Sequence, residues 1–453
     1  MKINIYKLAA VFLSVVVFFS CSDYLDLKPD KKMAIPSKTS DLQLLLDNFN
    51  SFNNTYPYAF GILSDAYYVS SEQWKAVSKS IERNLYIWQP DDNSADFWST
   101  PYRQIYSLNV ILEEAAKIHP SNAEQPKLAA VKGAAKFLRA YNYFALTQLF
   151  TKPFVTANAD TDLGLPLHVS ADYSVKSVRS SLAETYQLII RDVEESIQLL
   201  PKTTLLQSRP SISAAYGLLA KIYLAMGDYD NAGQYAEMCL KEYNSLLDYN
   251  EIEPTSIAPF PRFNNEIIFL MRSLRPSMLV YPRAQIDTLL YSSYDENDLR
   301  KQLFFTDNPN GGYAFKGDYD GWGISNNGYV FGGIVTDEIY LIAAECHARR
   351  DQLEKSADYL NQLLRHRWKV GTFVSLRFET KEEAIKSILQ ERKKQLLFRD
   401  SRWIDIRRLS LEPEFAINAS RYIDGVQYDL NPSSPYVLLI PRQVIERSGM
   451  QQN

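Results

Sequence analysis

From residue 215 to residue 243 the chain reads AYGLLAKIYLAMGDYDNAGQYAEMCLKEY, and small and aromatic residues recur there at fixed intervals. Apolar positions spaced three and four apart on either side of Gly227 predict two consecutive helices with a tight turn between them. Ala220 and Ala232 leave room for the two helices to approach closely, Gly227 ends the first, and Tyr223 fills the groove between them. The second helix carries Ala232, Tyr235, Ala236, Cys239, Leu240 and Tyr243 along one face. A single helix pair cannot bury its own apolar face, so several must stack, and this constrains the whole chain.

The Ala220, Tyr223, Gly227, Tyr229, Ala232 spacing is that of a tetratricopeptide unit. A weaker copy runs over 339–364, with Ala344 and Ala357 in the small-residue places and Arg350-Asp351 replacing the Gly-Asp turn. Leu182–Leu200 presents one apolar face and stops before Pro201. Residues 128–150 are apolar on two faces, Val131, Ala134, Ala135, Leu138 and Ala145 on one and Phe137, Tyr141 and Phe144 on the other. Such a helix is sandwiched between neighbours. Further helices are predicted near 104–118 and 384–398. Cys239 and Cys346 fall on apolar faces, as buried free thiols would.

The N-terminus sets the compartment. Residues 1–20 read MKINIYKLAAVFLSVVVFFS: Lys2 and Lys7 precede an apolar run, Leu8–Phe19, of secretory length and too short to span a bilayer. Cys21 follows small Ser20, where a lipoprotein signal peptidase cuts and the new N-terminal cysteine is acylated; Phe18 stands where leucine is usual. The expectation is a signal peptide over 1–20 and one mature unit over 21–453, its N-terminal irregular and C-terminal parts interwoven, tethered to a membrane through Cys21.

The 453-residue chain has a formal net charge of −4 at pH 7, and removal of residues 1–20 takes two lysines and no acid, leaving −6. With no basic block, nucleic acid is excluded as the main partner. Aromatic content is high, with 30 Tyr, 22 Phe and 6 Trp, and part of it concentrates in two loop-rich segments. Residues 311–333 hold nearly half of the 17 glycines, with Tyr313, Phe315, Tyr319, Trp322, Tyr329 and Phe331 between them. Residues 53–102 hold Tyr56, Tyr58, Tyr67, Tyr68, Trp74, Tyr86, Trp88, Trp98 and Tyr102. Either the glycines let these rings project towards a ligand, or the rings pack down onto the helices.

Six motifs in order resemble the SusD/RagB family of Bacteroidetes outer-membrane nutrient-binding lipoproteins. They are the leader CSDYLDLKP (21–29), WSTPYRQIYSLNVIL (98–112), RAYNYFALTQLFTKPF (139–154), NNEIIFLMR (264–272), ERKKQLLFRDSRWIDIRRL (391–409) and IPRQVIERSGMQQN (440–453). In the fifth, Arg399 and Asp400 replace the usual Glu and Gly; in the last, Ser-Gly replaces Asn-Pro. The resemblance implies a mostly α fold of tetratricopeptide-like helix pairs, an α–α superhelix, with an irregular, loop-rich ligand-binding face. It implies a cell-surface protein that captures a glycan and delivers it to a TonB-dependent, SusC-like outer-membrane transporter. In matching regions the ligand residues implied are Asp65, Trp74, Arg83, Trp88, Tyr319 and Trp322. Trp98, Trp368 and Trp403 read as core.

Other classes find less support. His119, His168, His347 and His366 are scattered, and no zinc motif, GxSxG elbow, P-loop or Rossmann fingerprint occurs. The expectation is therefore a binding protein with no catalytic residue, metal or cofactor. Oligopeptide capture with the same type of transporter, or a tetratricopeptide adaptor for another protein, are the alternatives.

Overall fold

A computed structural model of the chain describes Pro36 and residues 38–325, 328–431 and 437–453. The predicted signal peptide and Cys21 lie outside the described residues. The frame is built from long helices: α1 (Ala95–Lys117), α2 (Gln125–Phe150), α3 (Leu182–Ile197), α4 (Ile212–Met226), α5 (Tyr229–Glu242), α6 (Thr336–Arg349), α7 (Leu353–Arg365) and α8 (Lys381–Gln395), followed by the short α9 (Arg402–Leu409). Each from α1 to α7 packs against the next, and α8 lies on α6 and α7, so the helix pairs form a continuous stack. The fold is mostly α and tetratricopeptide-like, as the periodicity predicts. No helix of the described residues is long and apolar enough to cross a membrane.

Local chemistry sets the helix ends. Ser181 caps α3 in a reciprocal box with Glu184, their backbone N–H groups reaching each other's side-chain oxygens at 3.1 and 2.8 Å. Asp228 caps α5 by accepting from the Asn231 N–H, and Thr380 caps α8 by accepting from Glu383; each such cap is worth about 1 kcal/mol. Gly227 takes the left-handed turn between α4 and α5 (φ 75°). In the second unit Asp351 carries the positive φ, 61°, a conformation a short polar side chain tolerates better than most. Ala220, Ala232, Cys239, Ala344 and Cys346 are fully buried, and Ala357 nearly so. α2 is enclosed on both faces; Phe137 meets Phe269 edge-on at 4.9 Å, and the Tyr141 hydroxyl donates to the Gly332 carbonyl at 2.7 Å.

Beside the stack lies the loop-rich part. Among the described residues its strands occur only as two-stranded antiparallel pairs, including Arg272–Leu274 with Tyr329–Phe331 and the hairpin Ala419–Ile423/Val426–Leu430. The segment 391–409 welds this part to the helices. Arg408 donates to both oxygens of Glu345 at 2.6 and 2.8 Å, Arg392 and Arg408 share Asp405, and Lys394 meets Asp298 at 3.1 Å. Arg399 donates to Asp337 at 2.6 Å, and Trp403 Nε1 to the Gln148 carbonyl at 3.1 Å. These cations are buried, and a buried charge is tolerated only when paired in this way.

Candidate ligand-binding face

The six residues implied as ligand contacts have three different fates. Asp65 and Tyr319 do not stand at the surface. The Asp65 side chain is 7% exposed and accepts from Arg402 Nε and Nη2 at 2.6 and 2.7 Å and from Lys393 at 3.2 Å. Against the cost of burial, Arg402 and then Lys393 hold its carboxyl well below the usual range. Tyr319 is fully buried: its hydroxyl lies 2.5 Å from Glu266 and 2.9 Å from the Tyr249 hydroxyl, and the Arg399 guanidinium sits 3.6 Å over its ring. Both lie beneath the surface, engaged by protein partners.

Trp74 and Arg83 stand together, and Trp88 follows five residues further along the chain. Trp74 lies on the short helix Ser71–Lys75, half-buried, its Nε1 donating to the Arg83 carbonyl at 3.0 Å. The Arg83 guanidinium stands 5.8 Å from the Trp74 ring and donates to the Val77 carbonyl. Trp88, also half-buried, adopts a positive φ of 54° and donates to the Leu63 carbonyl at 3.2 Å. A residue the sequence does not point to packs against Trp88. Arg421, on the hairpin at the far end of the chain, lies 4.4 Å from the Trp88 ring and 3.7 Å from that of Tyr86. The same hairpin reaches the Trp74 helix through Asp424, which pairs with Lys75 at 2.7 Å and whose N–H donates to Ser71 at 2.8 Å. Tyr422 stands exposed on it.

Trp322 is placed on a separate loop and is 53% exposed. Gly321 and Gly323 flank it with φ 86° and 54°; a Cβ on Gly321 would meet the Arg262 backbone at 2.8 Å, and one on Gly323 the Ile257 carbonyl at 1.9 Å. Only glycine satisfies both the backbone conformation and the close approach. The loop is held from beneath. Arg262 Nε donates to the Asp320 carbonyl at 3.0 Å and its guanidinium lies 5.9 Å from the Trp322 ring. Asp318 accepts from the N–H groups of Asp320 and Phe331 at 3.0 and 3.1 Å and pairs with Arg275 at 3.1 Å; burial and the nearby Asp320 push its carboxyl up to about 7. Two residues beyond Trp322, Ile324 lines a narrow crevice together with Tyr281, itself 37% exposed.

Most of the other aromatics of the two loop segments pack downward, although Tyr68 is 37% exposed. Phe331 is fully buried, Tyr313 stacks on Tyr291 at 3.5 Å, and Phe315 meets Phe304 and Phe398 edge-on. Tyr56, Tyr58, Tyr67, Tyr86 and Trp98 belong to the core, as does Trp403, and Trp368 is half-buried beside Phe373. Next to the loops a cleft of about 520 Å³ opens between residues 50–58 and the first turns of α1, with Asn50, Asn54, Lys79, Asp96, Arg103 and Gln104 in its wall. Among the described residues no group of three or more His, Cys, Asp or Glu stands where it could hold a metal ion.

Comparison with known proteins agrees with this architecture. Residues 23–224 match a SusD-like family described as "Starch-binding associating with outer membrane", and residues 304–437 match the SusD family. The SusD-like protein P2 of Formosa agariphila is 23% identical over 425 residues, covering 80% of this chain and 81% of that one. A SusD superfamily protein from Bacteroides vulgatus superimposes with a TM-score of 0.75 at 21% identity, over 92% of this chain and 98% of that one. A laminarin-binding SusD-like protein does so with a TM-score of 0.64 at 17% identity, over 91% and 97%. With its two ends matched to families of one kind and its fold shared across its length, the chain belongs to the SusD family.

Proposed function

We propose that this chain is an outer-membrane surface lipoprotein, anchored through acylated Cys21, that captures a glycan on its loop-rich face and passes it to a SusC-like TonB-dependent transporter. The observation that carries this is Trp322. A large indole stands 53% exposed on a loop whose glycines and buried Asp318–Arg275 pair fix its shape, so its ring is presented to a ligand in advance of binding. Tryptophan offers the flat apolar face that stacks on the C–H face of a sugar ring, and Arg262 stands close by. Trp74, Arg83 and Trp88 supply a second platform, with part of each indole accessible and its N–H already satisfied.

A binding role is supported by the match to a SusD-like family described as starch-binding. Oligopeptide capture is the second reading, favoured by the 520 Å³ cleft, whose amides and cations suit a peptide backbone and its carboxylates. Affinity electrophoresis in gels cast with a panel of polysaccharides separates the two. Retardation on at least one polysaccharide, weakened in Trp322→Ala and in Trp88→Ala, is expected. Unchanged mobility on every gel, with binding to an oligopeptide library instead, refutes the glycan assignment.

A further inference from the structure

α1 separates two cavities. Arg103, Gln104 and Ser107 face the 520 Å³ cleft, whereas Trp98, Tyr102 and Tyr106, one turn apart at i, i+4 and i+8, line a slot of about 260 Å³ on the opposite face of the helix. The three rings are graded in depth: Trp98 is buried, Tyr102 half-buried and Tyr106 46% exposed. Trp98 and Tyr102 lie 4.9 Å apart, and His168 meets Tyr102 edge-on at 6.0 Å. The far wall is the 166–177 loop, with Tyr173 90% exposed at its tip, and Val444 and Met450 close the end.

This slot is built in advance of any ligand. Asn109 donates to the carbonyls of His168 and Ser170 at 3.0 and 2.9 Å, and Glu113 accepts the Ala171 N–H at 2.8 Å. The Tyr143 hydroxyl accepts from the His168 N–H at 2.7 Å and donates to its carbonyl at 3.0 Å. A wall pinned to the helix at so many points loses little freedom on binding. Among the described residues no Lys or Arg lines the slot, and its single acid there, Asp172, is turned onto Ser174, which donates through N and Oγ at 2.8 and 2.7 Å. Burial lowers the His168 pKa, favouring the neutral imidazole, which sits 3.0 Å from the Ser177 hydroxyl.

We propose that this slot is a further carbohydrate subsite, taking one uncharged pyranose ring of a long polymer. An aromatic floor with the hydroxyl-bearing Tyr106, Ser170, Tyr173 and Ser177 in its lining matches a ring with one C–H face and hydroxyls at its edge. It has room for one ring, below the roughly 300–1,000 Å³ of pockets that enclose larger ligands. Two sites on one rigid body raise the apparent affinity for a long chain without changing that for a short one. The subsite rests on the glycan capture proposed above.

The test compares the intact mature chain with the double variant Tyr106→Ala/Tyr173→Ala and with Trp322→Ala. Both tyrosines are exposed, so the double variant should melt as the wild type does. Mobility is read in gels cast with neutral polysaccharides, laminarin among them, and short oligosaccharides of the retarding polymer are titrated calorimetrically. The subsite requires the double variant to lose severalfold in polymer retardation while keeping oligosaccharide affinity within twofold, and Trp322→Ala to lose both. Wild-type retardation by the double variant overturns the subsite and leaves the main site standing. So does intact retardation coupled to loss of co-purification with the transporter, which would mark the slot as a protein contact. A wild-type chain retarded by no polysaccharide overturns both.

Discussion

Arg402 grips both carboxylate oxygens of Asp65, at 2.6 and 2.7 Å, across 337 residues of chain. The pair fastens α9 to the segment that leads into the Trp74 patch, with Lys393 as a third charge. The pair holds the Asp65 carboxylate beneath the surface.

Removing Arg402 leaves the buried Asp65 carboxylate with Lys393 alone, a loss of at most about 3–5 kcal/mol. Arg402→Ala should therefore lower the thermal midpoint clearly, while the folded fraction keeps its glycan affinity. Calorimetric melting together with titration of the soluble fraction checks both halves. Because the folded Asp65 pKa is depressed, the stability it contributes is present above the ordinary aspartate value near 4 and is lost as pH falls below it. Asp65→Asn should lack that acid-side loss.

Asp400 behaves in the opposite sense. It is 5% exposed, its Oδ2 lies 3.1 Å from Ser273 Oγ, and its Oδ1 has no partner among the described residues. Burial, with Asp318 nearby, raises its carboxyl well above the usual range. A raised folded pKa favours the protonated native state, so stability is fullest below about pH 4 and declines as pH rises towards the folded value. Asp400→Asn should match the wild type near pH 4 and melt progressively higher above it, the gap growing by at most about 1.4 kcal/mol per pH unit. A gap that stays constant from pH 4 to 8 would contradict this.

Gly323→Ala tests the loop. The new Cβ would lie 1.9 Å from the Ile257 carbonyl at a φ of 54°, so the loop must move. Glycan retardation should fall as far as in Trp322→Ala, with a lowered thermal midpoint that Trp322→Ala does not share.

Much of the frame is legible in the sequence because helix pairs are closed by residues a few positions apart. Ala220, Gly227 and Ala232 settle their own geometry, and Ser181 with Glu184 caps α3 within one turn. The face is less legible. Tyr319 and Trp322 are three residues apart in the same glycine-rich run, yet one is entombed and the other exposed. What separates them is distant in sequence: Glu266, Tyr249 and Arg399 draw Tyr319 inward, while Arg262 and Ile257 shape the turn that turns Trp322 outward. Asp65 is hidden in the same way by Arg402, and Trp88 is oriented by Arg421, which no local pattern links to it. The usual glycine at position 400 becomes intelligible only in three dimensions, since Asp400 sits at a φ of 56°.

The most direct measurement of the capture role is calorimetric titration of the chain from Ser22 onward with oligosaccharides of whichever polysaccharide retards it, for wild type, Trp322→Phe and Trp322→Ala. An exposed indole that serves as the stacking platform predicts a loss of at least about thirtyfold for alanine, ~2 kcal/mol, with phenylalanine retaining most of the affinity and all three melting alike. Equal affinity in all three would show that the exposed ring carries no ligand.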